Sequence, residues 1–215
     1  EYLSLPTIRE SDGAVEGITF LYMQAKGLLE VRGDAGLLRP YMTVNGERTP
    51  LELEWSRLHS WIPTCHASVE TLDFHCTYVT PMGERALAMR LQAKNRGAKA
   101  LQVRIGMDGC WDRTLHEINE TGELTSGREV IRSGWNGMFV WQQRPGMPLF
   151  AMAPCMFDRQ PFSEIDQGAD WSQEGFAYDL GKTVTLAAGE STTLDVYWGI
   201  GYETVSAATS AKELL

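Results

Sequence analysis

The sequence has no apolar run approaching the ~18 residues a helix needs to cross a bilayer. Its four cysteines include no CxxC pair, which removes the usual spacing of a structural zinc knuckle. It contains no GxSxG, no P-loop and no GxGxxG, so neither a nucleophile elbow nor a nucleotide cradle is signalled. Positive charge is scarce: 19 Lys and Arg stand against 28 Asp and Glu, a net charge of −9. Such a balance argues against nucleic acid or an anionic membrane as a partner. Helical periodicity is weak before about residue 204. No linker, repeat or low-complexity stretch divides the body of the chain, and no cofactor motif appears, so none is expected.

What is present is alternation. In Leu72–Val79, Leu72, Phe74, Cys76 and Tyr78 share one face, and Asp73, His75 and Thr77 the other. In the next run Leu87, Met89, Leu91 and Ala93 oppose Arg90, Gln92 and Lys94. Leu101, Val103, Ile105 and Met107 oppose Gln102 and Arg104, and Leu194, Val196, Trp198 and Ile200 oppose Asp195 and Tyr197. Period two with one apolar face is the pattern of antiparallel strands half in a core. Seven each of Trp, Tyr and Phe in 215 residues supply large side chains for that core or for stacking on a ligand. The expected fold is all-β, a two-layer antiparallel sandwich of more than ten strands filling residues 1–203. Asn45-Gly46 marks a hairpin, Asn95-Arg96-Gly97 marks another between the second and third runs above, and Gly189-Glu190 turns into the last strand.

The tail ends this pattern. Ser210-Ala211-Lys212-Glu213 reads as a capping box, with Leu214 and Leu215 opening an apolar face. Residues 204–215 are therefore expected to begin a linker helix toward a further domain.

One pairing can be derived. A hairpin centred between Glu70 and Thr71 puts Cys65 opposite Cys76 and, on the other face, His66 opposite His75. Facing Cys can bridge and facing His can hold a metal. The reading adopted is two buried thiols and two surface imidazoles, with no metal site. Four thiols without framework spacing fit a reducing cytosol better than a secreted scaffold.

Candidate binding residues come from aromatics beside polar groups. Trp111, Asp112 and Arg113, with His116 three residues on, occupy a stretch read as a long loop from 107 to 127, where Gly109 would let the chain leave the sheet. Trp135 and Trp141 repeat the theme on a hairpin. A pyranose has an apolar C–H face and a polar rim, which such pairs match, so carbohydrate is the expected ligand. The loop reading places Trp111 outside the sandwich core. Trp198, in an alternating strand, is read as core. No pair of the many carboxylates is singled out as catalytic.

The run from Leu72 to Arg113 and the ending LAAGESTTLDVYWGIGYE resemble the N-terminal β-sandwich (supersandwich, galactose-mutarotase-like) domain of glycoside hydrolases and phosphorylases. Maltose- and cellobiose-type phosphorylases and glucoamylase-like enzymes are examples. The resemblance covers roughly residues 70–215. It implies that this segment is non-catalytic and packs on a C-terminal (α/α)6 catalytic barrel of the same polypeptide. By position, the loop with Trp111, Asp112, Arg113 and His116 would border the sugar pocket or that barrel; Trp135 and Trp141 remain substrate or interdomain candidates on their own aromatic-polar pattern. A free-standing carbohydrate-binding module and an aldose-epimerase-like enzyme are the other readings.

Overall fold

The computed structural model describes residues 2–3, 6–22, 25–31, 36–111, 114–118, 125–126, 133–135, 138–142, 149–154, 165–170 and 176–201. These form nineteen strands and, among the described residues, no helix. The expected linker helix of 204–215 lies outside them. Every strand pairing is antiparallel.

A six-stranded sheet contains β1 (Tyr2–Leu3), β2 (Thr7–Ile8), β3 (Val15–Tyr22), β4 (Ala25–Val31), β12 (Thr114–Ile118) and β13 (Thr125–Ser126). A five-stranded sheet runs in the order β17 (Ile165–Asp170), β18 (Ala177–Leu186), β11 (Leu101–Cys110), β5 (Arg39–Val44) and β6 (Glu47–Arg48). The largest sheet has eight strands. Its order is β14 (Ser133–Trp135), β15 (Met138–Gln142), β16 (Leu149–Pro154), β19 (Ser191–Gly201), β10 (Ala86–Asn95), β9 (Leu72–Val79), β8 (Ile62–Val69) and β7 (Glu54–Leu58).

The apolar faces read from the sequence meet in the core. Across four neighbouring strands of the large sheet, Cys65, Cys76, Leu91 and Leu194 stand opposite one another, and all four are fully buried. Val103, Ile105, Met107, Met42 and Leu180 supply the five-stranded sheet's share. Leu87, Met89, Val196 and Trp198 are also buried, as expected, whereas Leu101 is half-buried at the margin. Each fully buried Leu, Val or Met contributes about 1.5–3 kcal/mol relative to exposure. Cys65 and Cys76 are free thiols, and burial pushes the Cys76 thiol well above its usual range.

Turn chemistry explains two hairpins and corrects a third. Asn45 and Gly46 both take positive φ, 51° and 88°, and close β5 onto β6, as their sequence suggests. Glu70, at φ 50°, turns β8 into β9 with the derived register, Cys65 opposite Cys76 and His66 opposite His75. Asn95-Arg96-Gly97 does not make a hairpin. β10 lies in the eight-stranded sheet and β11 in the five-stranded one, so this turn carries the chain across the sandwich. Gly189-Glu190 makes a second crossing beside it, between β18 and β19. The buried Asn95 ties the two crossings together. Its Nδ2 donates to the carbonyls of Lys99 (2.8 Å) and Leu186 (3.0 Å), and its Oδ1 accepts from the Gly97 N–H (2.9 Å). Its backbone N–H donates to the Glu190 carbonyl at 2.9 Å, and its carbonyl accepts from Gly189 at 2.8 Å.

The supposed loop from 107 to 127 is also different. β11 continues to Cys110, and Thr114–Ile118 is a strand paired with β4 and β13. Gly109 does not release the chain from the sheet. It pairs with Tyr178 inside the ladder, where a Cβ would strike the Leu37 carbonyl and the Tyr178 ring.

Candidate functional site

β7, β8, β9, β10 and β19 turn their polar side chains outward, and their registers stack those residues into rows. One row is Ser56, Thr64, Thr77, Arg90 and Asp195. The next is Glu54, His66, His75, Gln92 and Thr193. Such rows form only because residues far apart in sequence share a register, which sequence alternation alone does not reveal.

The first row carries an ion pair. Arg90 grips Asp195 with two hydrogen bonds, Nε to Oδ1 at 2.7 Å and Nη2 to Oδ2 at 2.8 Å. The two partners differ in exposure: the Asp195 side chain is 10% exposed and the Arg90 side chain 60%. A carboxylate so enclosed needs its cation, because an unpaired buried charge is costly. Thr64 and Thr77 meet through their hydroxyls at 3.3 Å. In the second row Gln92 Nε2 donates to Thr193 Oγ1 at 3.4 Å, and the Glu54 carboxylate lies 3.2 Å from His66 Nε2.

A groove of about 430 Å³ opens over the first row, lined by Thr77, Arg90, Asp195, Tyr197, Leu58 and Ile62 among others. Leu58, Trp61 and Met82 are the exposed large hydrophobic residues among those described, at 49%, 56% and 99%. All three lie at the same end of the sheet. Leu58 and Trp61 flank the β7–β8 turn, where His59 and Ser60 hold positive φ of 50° and 71°, and Met82 follows β9. Single exposed hydrophobics are ordinary; of these three, Leu58 lines the groove, while Trp61 and Met82 lie at the same end of the sheet. The face thus offers charged and hydroxyl hydrogen-bonding groups next to apolar side chains.

A second concavity, about 490 Å³, lies beside the five-stranded sheet and is lined by Asp12, Arg39, Tyr41, Arg48 and Leu51. Its charges are closed on themselves. Asp108 takes Arg39 at 2.7 Å and Arg48 at 2.6 Å, Arg9 holds Asp12 at 2.7 Å, and Arg104 bridges Asp166 and Asp179. Burial pushes the Tyr41 hydroxyl up to about 12, against the opposing pull of the Arg104 hydrogen bond. This network holds the sheet edge and adjoining loop together.

The residues singled out from the sequence are placed as follows. Trp111 is fully buried, which overturns its expected place outside the core. Its indole N–H donates to the Leu37 carbonyl at 3.1 Å, its backbone N–H donates to Phe176, and its ring stacks on Trp198 at 6.1 Å and 25°. The strand's continuation to Cys110 carries Trp111 inward. Asp112 and Arg113 lie outside the described residues. His116 is in β12, opposite Leu29 and Thr125. Trp135 and Trp141 lie on the β14–β15 hairpin, where Trp135 is opposite Met138 and Trp141 opposite Phe150. Sequence reading missed Arg90 and Asp195 as a pair. The available signal was a charged residue in the middle of each of two strongly alternating strands.

No family model matches the sequence, and no curated protein matches it. Solved structures do. A polysaccharide lyase superposes on 99% of this chain with a TM-score of 0.61 at 12% identity. A bacterial glucoamylase complexed with acarbose superposes on 99% with a TM-score of 0.54 at 10% identity. A galactose mutarotase-related enzyme from Lactobacillus acidophilus superposes on 93% with a TM-score of 0.52 at 9% identity. The fold is the galactose-mutarotase-like supersandwich. The chain spans 34% of the lyase and of the glucoamylase, and 95% of the mutarotase-related enzyme. The supersandwich is therefore found both as part of larger enzymes and alone.

Proposed function

We infer that this chain is the non-catalytic β-sandwich domain of a larger carbohydrate-active enzyme, a glycoside hydrolase or phosphorylase. Its catalytic partner would be an (α/α)6 barrel of the same polypeptide. The supporting observation is coverage: nearly all of this chain matches about a third of a lyase and of a glucoamylase. In this reading the end of the eight-stranded sheet's outer face that bears the groove turns toward the barrel. Leu58, Trp61 and Met82 are buried in the contact, and the Arg90–Asp195 groove borders the sugar, offering donors and acceptors to hydroxyls. Asp112, Arg113, His116 and the hairpin bearing Trp135 and Trp141 are assigned the same barrel- or sugar-facing role.

A second reading rests on a different coverage. The mutarotase-related enzyme is matched over 95% of its length, so a chain of this size suffices for an epimerase-type sandwich. Polarimetry of freshly dissolved α-D-glucose and a glycan array separate the readings. The proposed domain leaves the mutarotation rate at its spontaneous value and binds no glycan tightly. Accelerated mutarotation would make it an epimerase. Tight glycan retention would make it an independent binding module.

A further inference from the structure

We propose that His66 and His75 form a binding site for a divalent late first-row transition-metal ion, separate from the groove above. The sequence holds four histidines, and two of them stand directly opposite on adjacent antiparallel strands. The turn fixes which kind of pair they are. Val69 and Leu72 flank the two-residue turn and exchange hydrogen bonds, so alternation along the ladder makes His66 and His75 a non-hydrogen-bonded pair. In such pairs the two Cα atoms are only ~4.5 Å apart and the side chains are closest. The rings lie nearly parallel, with centroids 5.8 Å apart and planes 22° from parallel. To share one ion the rings must turn out of this stacked arrangement so that one nitrogen of each points to a common position between the strands.

Glu54 completes the arrangement. It is opposite His66 on the other side, and its Oε2 lies 3.2 Å from His66 Nε2. A hydrogen bond from His66 Nε2 to that carboxylate would leave Nδ1 as the metal-binding nitrogen. Metal-binding histidines are commonly oriented by such an outer carboxylate. Among the described residues no group of three or more His, Cys, Asp or Glu is placed to hold a metal ion, so the proposed site is a two-imidazole chelate with water filling the remaining positions. The His66 side chain is 40% exposed, which leaves room for that water. Imidazole pairs select Cu²⁺, Ni²⁺ or Zn²⁺, whereas Mg²⁺ and Ca²⁺ require oxygen ligands. The backbones of Glu54, His66 and His75 are held in one sheet, so little ordering is needed on binding.

Calorimetric titration of Ni²⁺ and Zn²⁺ into the tag-free 215-residue chain tests the site. One ion binds per chain, and Mg²⁺ gives no heat. H66Q and H75Q each lower the affinity at least tenfold. H59Q, at the exposed turn, leaves it unchanged. E54Q lowers it by about 10-fold or more, as loss of an orienting carboxylate does. Absent binding, or affinity unmoved by both H66Q and H75Q, overturns the proposal. Should a variant fail to fold by circular dichroism, NMR of the unaltered chain decides: Ni²⁺ must broaden the His66 and His75 imidazole signals first, and broadening of another histidine first overturns the site.

Discussion

Trp111→Ala is expected to destabilise the fold by about 3–5 kcal/mol, the range for truncating a large aromatic in a packed core. Three losses combine. The indole is fully buried, so its removal leaves a cavity where β11 leaves its sheet. The stack on Trp198, at 6.1 Å, disappears, and with it a contact to the eight-stranded sheet. The Leu37 carbonyl also loses the indole donor at 3.1 Å, though it keeps the Tyr178 hydroxyl at 2.9 Å. A surface-loop tryptophan would cost less than about 1 kcal/mol. Urea titration of the 215-residue chain separates the two, and a loss under about 1 kcal/mol would return Trp111 to the surface. Trp111→Phe should recover part of the loss, because it refills most of the volume without the donor.

The second large effect belongs to a polar residue. Asn95→Ala is expected to cost about 2–4 kcal/mol, since three side-chain hydrogen bonds of roughly 1 kcal/mol each are lost and buried groups are left unpaired. The groups concerned are the Lys99 and Leu186 carbonyls and the Gly97 N–H. The damage would fall on both sheet-to-sheet crossings together. Asn95→Asp should be no milder: it keeps the acceptor for Gly97 but replaces the two donors with a buried charge facing carbonyl oxygens. A denaturation midpoint unchanged in Asn95→Ala would show that the crossings are held by their backbone bonds alone.

Asn95 also shows where sequence reading stops. An Asn side chain that accepts from the second residue onward makes the same local turn in a hairpin and in a crossing. Which sheet the next strand joins is decided by pairings of Leu101–Cys110 with β5 and β18, far away in the chain. The Cys65/Cys76 and His66/His75 register was legible because a two-residue turn fixes every later pair in its hairpin. The buried faces of β9, β10, β11 and β19 were legible because alternation is a local signal. The outer-face site was not: Arg90 and Asp195 are 105 positions apart, and only the β10–β19 ladder brings them together. Trp111 was misplaced for a related reason. Asp108, Gly109 and Cys110 broke the apolar alternation and mimicked a loop start, while the glycine was there to let the Leu37 carbonyl and the Tyr178 ring approach.

The central claim is that this sandwich supports chemistry performed elsewhere in its polypeptide. The most direct test is turnover of aryl-glycosides, and phosphorolysis of disaccharides, by the purified 215-residue chain, with circular dichroism confirming a β-rich fold. The account predicts rates equal to buffer, unchanged by Asp195→Asn. Turnover above buffer that disappears on replacing one of the chain's own carboxylates, Asp195 or Glu54 first, would contradict it and make the outer face of the eight-stranded sheet an active site.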